Sequence, residues 1–163
     1  MKLFCFASRS LENVQRGFKA NRWAVATTSD KDQQTRRTKI RRNVKVGDFG
    51  LLYCNPFSSF MVPFEFVSEP NLYEKDSTTW PEVWLFPFQI RSLCTEDKMV
   101  SAAQAEAKWG IAKRRFVEMG GRAGGISAAM LLTGTTAFSP LHISYRDWTE
   151  ILMDFGINTQ AIA

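Results

Sequence analysis

Five short apolar runs, at 2–8, 22–27, 49–54, 60–67 and 82–90, organise the first half of this 163-residue chain. Each is rich in aromatic and β-branched side chains, is closed by polar or turn-forming residues, and has the length of a strand. Val46-Gly47-Asp48 and Asn55-Pro56, followed by Ser58-Ser59, supply turns between them. Pro63 falls inside the fourth run and cannot donate to a ladder, which predicts an edge or a bulge there.

The pattern then changes period. Ser101 precedes Ala102, Ala105, Trp109, Ala112 and Phe116, which share one helical face ending in Lys113-Arg114-Arg115. Ser144-Tyr145-Arg146-Asp147 has the form of a capping box before Trp148, Ile151, Leu152 and Phe155, with Gly156 as a stop. Near the start, Ser10 caps a short helix carrying Leu11, Val14 and Phe18, with Glu12 in its first turn. The segment 28–43 is polar, basic and aperiodic and reads as a loop. Residues 119–136, rich in Gly, Ala and Thr, carry no clear pattern. There is no repeat and no linker, so the expectation is one α+β domain over 1–163, a curved or barrel-like mixed sheet flanked by helices.

Composition limits the function classes. With 45% hydrophobic and 23% charged residues the chain is an ordinary globular one. No apolar run approaches the roughly 18–20 residues of a membrane span. The apolar start is followed at once by Arg9 and has no cleavable small-residue site, so it reads as a strand. Cys5, Cys54 and Cys94 are odd in number and lie in apolar surroundings, which suits a reducing, cytoplasmic compartment. The net charge is +5, and it is concentrated. From Lys31 to Asp48 stand seven bases (Lys31, Arg36, Arg37, Lys39, Arg41, Arg42, Lys45) against two acids, so this stretch equals the whole excess. Lys113, Arg114, Arg115 and Arg122 form a second group, for which a favourable place at a helix C-terminus is the plainer explanation. Cations among aromatic side chains, 13% of the chain, are what nucleic-acid binding requires.

Catalytic chemistry leaves little trace. The one histidine, His142, sits between Leu141 and Ile143 and reads as packed or capping. No zinc spacing, nucleophile elbow, phosphate loop or dinucleotide fingerprint occurs. Glu65, Glu69, Glu74 and Asp76 have no spacing that makes them converge on a metal. The reading is a binder with no cofactor, no metal and no catalytic residues.

Several segments resemble the YTH and EVE domains of the PUA-like superfamily. Phe4-Cys5-Phe6-Ala7-Ser8, Glu12-Asn13-Val14 and Asn21-Arg22-Trp23 are similar to their opening strand, helix and tryptophan. Val44 to Tyr53 resembles the EVE turn and strand, Phe64 to Pro70 the strand after it, and Val83 to Phe88 the next. Val117 to Gly125 is loosely like the Gly-Arg segment of YTH domains, and the closing capped helix fits the EVE pattern. The similarity runs through most of the chain.

This resemblance implies a non-catalytic reader of a flipped, modified base in an aromatic cage, with N6-methyladenine the first expectation and a modified cytosine the second. The partner would be DNA or RNA, within a restriction or RNA-processing assembly. Carried over by position, Trp23 is the first cage wall and the backbone at Trp23-Ala24 faces the modified amine. Ser8, Arg9 and Asn13 line the base edge, with Asn55 among the pocket residues. Trp80, in a polar loop, is the second wall, with Trp84 its competitor. Arg36, Arg37, Lys39, Arg41, Arg42, Lys113, Arg114, Arg115 and Arg122 would meet phosphates. Arg9 stands where a YTH domain offers an asparagine, and Ala24 replaces a small polar residue; both bear on which base is held. Removing Trp23 should abolish discrimination and leave the fold intact. Two rivals stay open: a general RNA-binding PUA-like module without a cage, and an enzyme acting on a nucleotide with Tyr53, Asn55 and Glu65 around a pocket.

Overall fold

Alternation along the strands sends side chains into two separate cores, one on each face of a single sheet. A computed structural model describes residues 1–158. In chain order the elements are β1 (Lys2–Ser8), α1 (Leu11–Ala20), β2 (Arg22–Ala26), α2 (Asp30–Asn43), β3 (Phe49–Cys54), β4 (Ser59–Phe66), β5 (Lys75–Asp76), β6 (Trp84–Ser92), β7 (Met99–Ser101), α3 (Ala102–Lys108), α4 (Gly110–Glu118), α5 (Gly125–Ala129), β8 (Leu141–His142) and α6 (Tyr145–Asp154). On β1, Phe4 and Phe6 enter one core while Leu3 and Cys5 enter the other. The first core holds Phe64, Phe66, Phe88, Trp23 and Trp80. The second lies under the C-terminal helices and holds Phe60, Trp109, Trp148 and Ile151.

The strand order is β2-β6-β4-β3-β1-β8, with β5 added to β6 and β7 to β4. Among the described residues only β1 and β3 run parallel, with Cys5 opposite Leu51 and Ser8 opposite Cys54. Two bulges bend the sheet. In β4 the register shifts across Gly50 and Leu52 of β3, where Val62 takes a positive φ of 48° before Pro63. That bend is where β4 exchanges neighbours: Ser59 to Met61 face β7, and Phe64 to Phe66 face β6. In β6 the equivalent break is Phe86 (φ 57°) before Pro87, opposite Ala24 of β2. The sheet thus curls into a half-barrel, with α1 linking β1 to β2 across its open side.

The segment read as a loop, 28–43, is a helix. Only Ile40 of α2 is buried, so hydrophobic periodicity had nothing to report. Other terms hold it. Ser29 caps it by accepting the Asp32 N–H, Asp30 and Asp32 sit in the first turn, and Arg41 and Arg42 in the last. Its side chains also tie it to neighbouring backbone: Arg37 Nε donates to Leu72 O (2.9 Å) and Lys39 Nζ to Thr135 O (3.0 Å). The stretch 101–116 is two helices, broken at Trp109 (φ −80°, ψ 121°), which is fully buried and donates its indole N–H to Asp154 (2.8 Å). Residues 119–136 hold α5 and a 3-10 turn at Gly134–Thr136.

The capping box before α6 forms as its sequence predicts: Ser144 Oγ accepts the Asp147 N–H (3.1 Å), and Asp147 accepts the Ser144 N–H (2.8 Å). Asp147 also receives both guanidinium nitrogens of Arg114 (3.1 and 2.7 Å). The Arg114 bonds, then those from Ser144, hold its carboxyl below the ordinary range against the opposing effect of burial. A depressed native pKa stabilises above the unfolded value of about 3.9 and ceases to do so as pH falls through the folded value. Asp147→Asn should therefore lose about 1–2 kcal/mol at neutral pH, and the gap to the parent protein should close in acid. Urea midpoints measured across that range check this; a gap that is constant with pH contradicts it.

Candidate functional site

Strands β1 and β2 stand four places apart in the sheet, yet their C-terminal halves line the same cavity, at the seam where the half-barrel stays open. Its volume is about 780 Å³, within the range of small-molecule sites. β1 contributes Cys5 to Ser8, and β2 contributes Trp23 to Ala26. Arg9 joins from the turn after β1, Asn13 from α1, Asn55 from the turn after β3 and Arg36 from α2, with Glu82 to Trp84 leading into β6. Leu132, Thr133, Gly134 and Ala137 supply another wall. The bulge in β6 leaves Ala24, which is buried and lines the cavity, without a register partner on that strand.

Six of the seven residues expected in the pocket, Ser8, Arg9, Asn13, Trp23, Ala24 and Asn55, line this one cavity. Their chemistry differs. The Ser8 hydroxyl is engaged locally, donating to Ser10 O (2.9 Å) and accepting the Ser10 N–H (3.2 Å). It shapes the turn that lets Ser10 cap α1. Asn13 accepts from Arg16 through Oδ1 (3.2 Å), which leaves its amide N–H groups as donors. Arg9 is exposed at the rim, and its side chain makes no hydrogen bond or ion pair among the described residues.

Three indoles form the aromatic corner. Trp80 and Trp84 stack (centroids 4.3 Å, 11°), and Trp23 meets both edge-on, at 5.6 Å and 86° to Trp80 and 5.3 Å and 83° to Trp84. Trp80 is not among the lining residues. It is 2% exposed and donates its indole N–H to Asn13 O (2.9 Å), tying its loop to α1. Asp76 holds that loop by accepting the N–H groups of Thr78 (3.0 Å) and Thr79 (2.9 Å) and pairing with Arg22 (3.1 Å). Burial works to raise the Asp76 carboxyl, but these hydrogen bonds outweigh it and the pKa lies below the usual value. Trp84, at the start of β6, is half-buried and lines the cavity. Trp23 also lines it, but is only 1% exposed. A Cβ on Gly17 would stand 2.8 Å from its Cε3, so this glycine lets α1 approach the ring. An indole this deep is part of the core, and the expectation that its removal spares the fold does not hold.

The charged groups divide in two. Arg36 donates to Ala26 O (3.2 Å) and Gly134 O (3.1 Å), bridging β2 to the 134–136 turn beside the cavity. Burial lowers its pKa, with Asp32 opposing, and an arginine stays charged through such a shift. Arg37, Lys39 and Arg41 bond to neighbouring segments, and Arg42 is exposed. Away from the cavity lining, Arg114 pairs with Asp147 and Arg115 with Glu118 (3.1 Å). Arg122 pairs with Glu106 and lies over Phe116 (4.6 Å); Lys113 is exposed. Sequence reasoning missed Glu82 and the 132–137 wall. A patternless Gly/Ala/Thr stretch gave no signal for the wall. No group of three or more metal-ligating side chains occurs among the described residues.

No protein-family model and no curated protein matches the sequence. Solved structures do match. The YTH domain of the Zygosaccharomyces rouxii MRB1 protein, in complex with N6-methyladenosine RNA, aligns over 94% of this chain and 86% of that one (17% identity, TM-score 0.56). The Pho92 YTH domain in complex with m6A aligns over 95% and 83% (16% identity, TM-score 0.55). The Mmi1 YTH domain in complex with RNA aligns over 95% and 77% (12% identity, TM-score 0.54). The chain has the fold of a YTH domain.

Proposed function

We propose that this chain is a non-catalytic RNA-binding domain that takes one swung-out, modified base into the seam cavity, with N6-methyladenine the preferred base. The observation that carries this reading is the cavity itself: an indole corner, Ala24 opposite the β6 bulge and unpaired donors at Arg9 and Asn13, set in a fold whose solved neighbours hold N6-methyladenosine RNA. Trp84 offers the stacking surface, Trp23 the edge that closes the corner, and Trp80 the support behind Trp84. Arg9 and Arg36 flank the mouth as phosphate contacts, with Arg42 and Lys39 further along α2.

The magnitudes suit such a reader. Stacking a base contributes about 1–3 kcal/mol but favours no modification. One buried methyl adds only ~0.8 kcal/mol, about fourfold. The larger part comes from an unmodified amine, whose spare N–H would lie buried without an acceptor at a cost of about 1–3 kcal/mol. Together these give roughly 2–4 kcal/mol, tens- to hundreds-fold. A duplex target would first lose a few kcal/mol to unstacking, so single strands should bind best.

The test is a binding panel at one fixed salt concentration: single- and double-stranded RNA and DNA, plain or modified at one adenine or one cytosine. Single-stranded RNA with N6-methyladenine should bind at least about tenfold tighter than its plain counterpart. All affinities should fall with added salt as phosphate contacts are screened. Equal affinity for plain and modified strands would leave only a general RNA-binding module.

A further inference from the structure

We propose that Tyr73 is a second base-stacking platform, which receives an unmodified base of the same RNA strand on the flank of α2 next to the one facing the cavity. The inference takes its ligand from the reading of the cavity as an RNA site, but rests on different residues. Tyr73 is 70% exposed, and a ring so open does little to fill a core. It is nevertheless held in place. Arg41 Nη2 donates to its hydroxyl (2.9 Å), and the Arg37 guanidinium carbon lies 5.0 Å from its ring centroid. Its backbone is fixed as well: Asn71 Oδ1 accepts the N–H groups of Tyr73 (3.0 Å) and Glu74 (2.8 Å), and the Asn71 N–H donates to Pro87 O (2.9 Å).

An ordered aromatic ring with one face under a guanidinium and most of its surface in solvent suits a nucleobase better than it suits packing. Its link to the cavity is direct. Arg36, which bridges the cavity mouth, and Arg37, which lies over Tyr73, are consecutive on α2 and about 100° apart around its axis. The exposed Arg42 stands on the same helix. A single strand leaving the cavity past Arg36 therefore meets cations and then a flat ring, the arrangement that sequence-tolerant single-strand binding uses. The side chains placed against the ring, Arg37 and Arg41, suit a polyanion better than an apolar protein surface.

Tyr73→Ala, Tyr73→Phe and Tyr73→Trp should be titrated with single-stranded RNA of roughly ten nucleotides, plain and modified, and with the N6-methyladenosine nucleoside alone. Tyr73→Ala should weaken both long RNAs by about 5- to 100-fold, with an unchanged dependence on salt because no charge is lost. Tyr73→Trp should restore the affinity, Tyr73→Phe should lose less than the alanine variant, and nucleoside binding should not move. Loss of less than about fivefold on long RNA, or an equal loss on the nucleoside, overturns the platform. If the parent protein ignores the modification, the cavity reading fails while plain RNA still tests Tyr73. A parent protein that binds neither RNA defeats both.

Discussion

Trp84→Ala is expected to weaken binding of a modified single-stranded RNA by about 5- to 150-fold, equivalent to losing 1–3 kcal/mol of stacking, and to remove most of the preference over the plain strand. Trp84 is the one indole of the three that is half-buried and lines the cavity, so it can lose its ring with modest damage to the core. Its removal uncovers the face of Trp80 that now stacks on it at 4.3 Å. A base can still find an aromatic surface there, so part of the general affinity should survive. On the proposed reading, discrimination should not survive, because that reading depends on a dry enclosure in which an unmodified amine is left without an acceptor. An indole-sized gap admits the water that would satisfy that amine. Trp84→Phe keeps a ring in place and should retain most of the preference. The measurement is the ratio of affinities for modified and plain strands at fixed salt, and a ratio unmoved in the alanine variant would take the base away from this corner.

The five long strands were legible because each is a short aromatic run closed by turn residues, and the cores follow from their alternation; β5, β7 and β8, two or three residues each, were too short to show a pattern. α1 and α6 were legible through their serine caps. α2 was not, since a helix with one buried residue has no apolar stripe, and its evidence was Ser29 with two acids behind it. The cavity was legible only in part. Its β1 and β2 walls came from residues that a family resemblance could point to. The seam that brings them together depends on bulges at Val62-Pro63 and Phe86-Pro87, of which only the first had been expected. Local context misled on the tryptophans. A polar loop made Trp80 the expected second wall, with Trp84 its competitor. The structure puts the competitor at the cavity: Trp80 turns inward to reach Asn13 O, while the half-buried Trp84 opens β6 beside the cavity. Which face an indole presents is decided by contacts far away in sequence, and these leave no pattern in the neighbouring residues.

Trp23→Ala should destabilise the protein by about 3–5 kcal/mol, lowering its thermal midpoint by roughly 6–20 °C for a chain of this size. The indole is 1% exposed and packs edge-on against Trp80 and Trp84, and α1 approaches it at Gly17. Alanine would remove all of these contacts at once. One consideration favours the lower end of the range: the space left behind would join an existing cavity and could fill with water, so the residual void would be smaller than in a sealed core. The loss remains large because the neighbouring rings cannot close the gap. Trp80 is anchored through its N–H to Asn13 O, and Trp84 is fixed in register opposite Ala26. Trp23→Phe keeps a ring at the corner and should lose less stability. Urea denaturation of the two variants beside the parent protein gives the comparison. Binding to Trp23→Ala can be interpreted only where these curves show the variant folded, which makes Trp84 the better position for testing recognition. An unchanged urea midpoint for Trp23→Ala would mean that the indole is not a core residue, and the packing of the whole corner would have to be reconsidered.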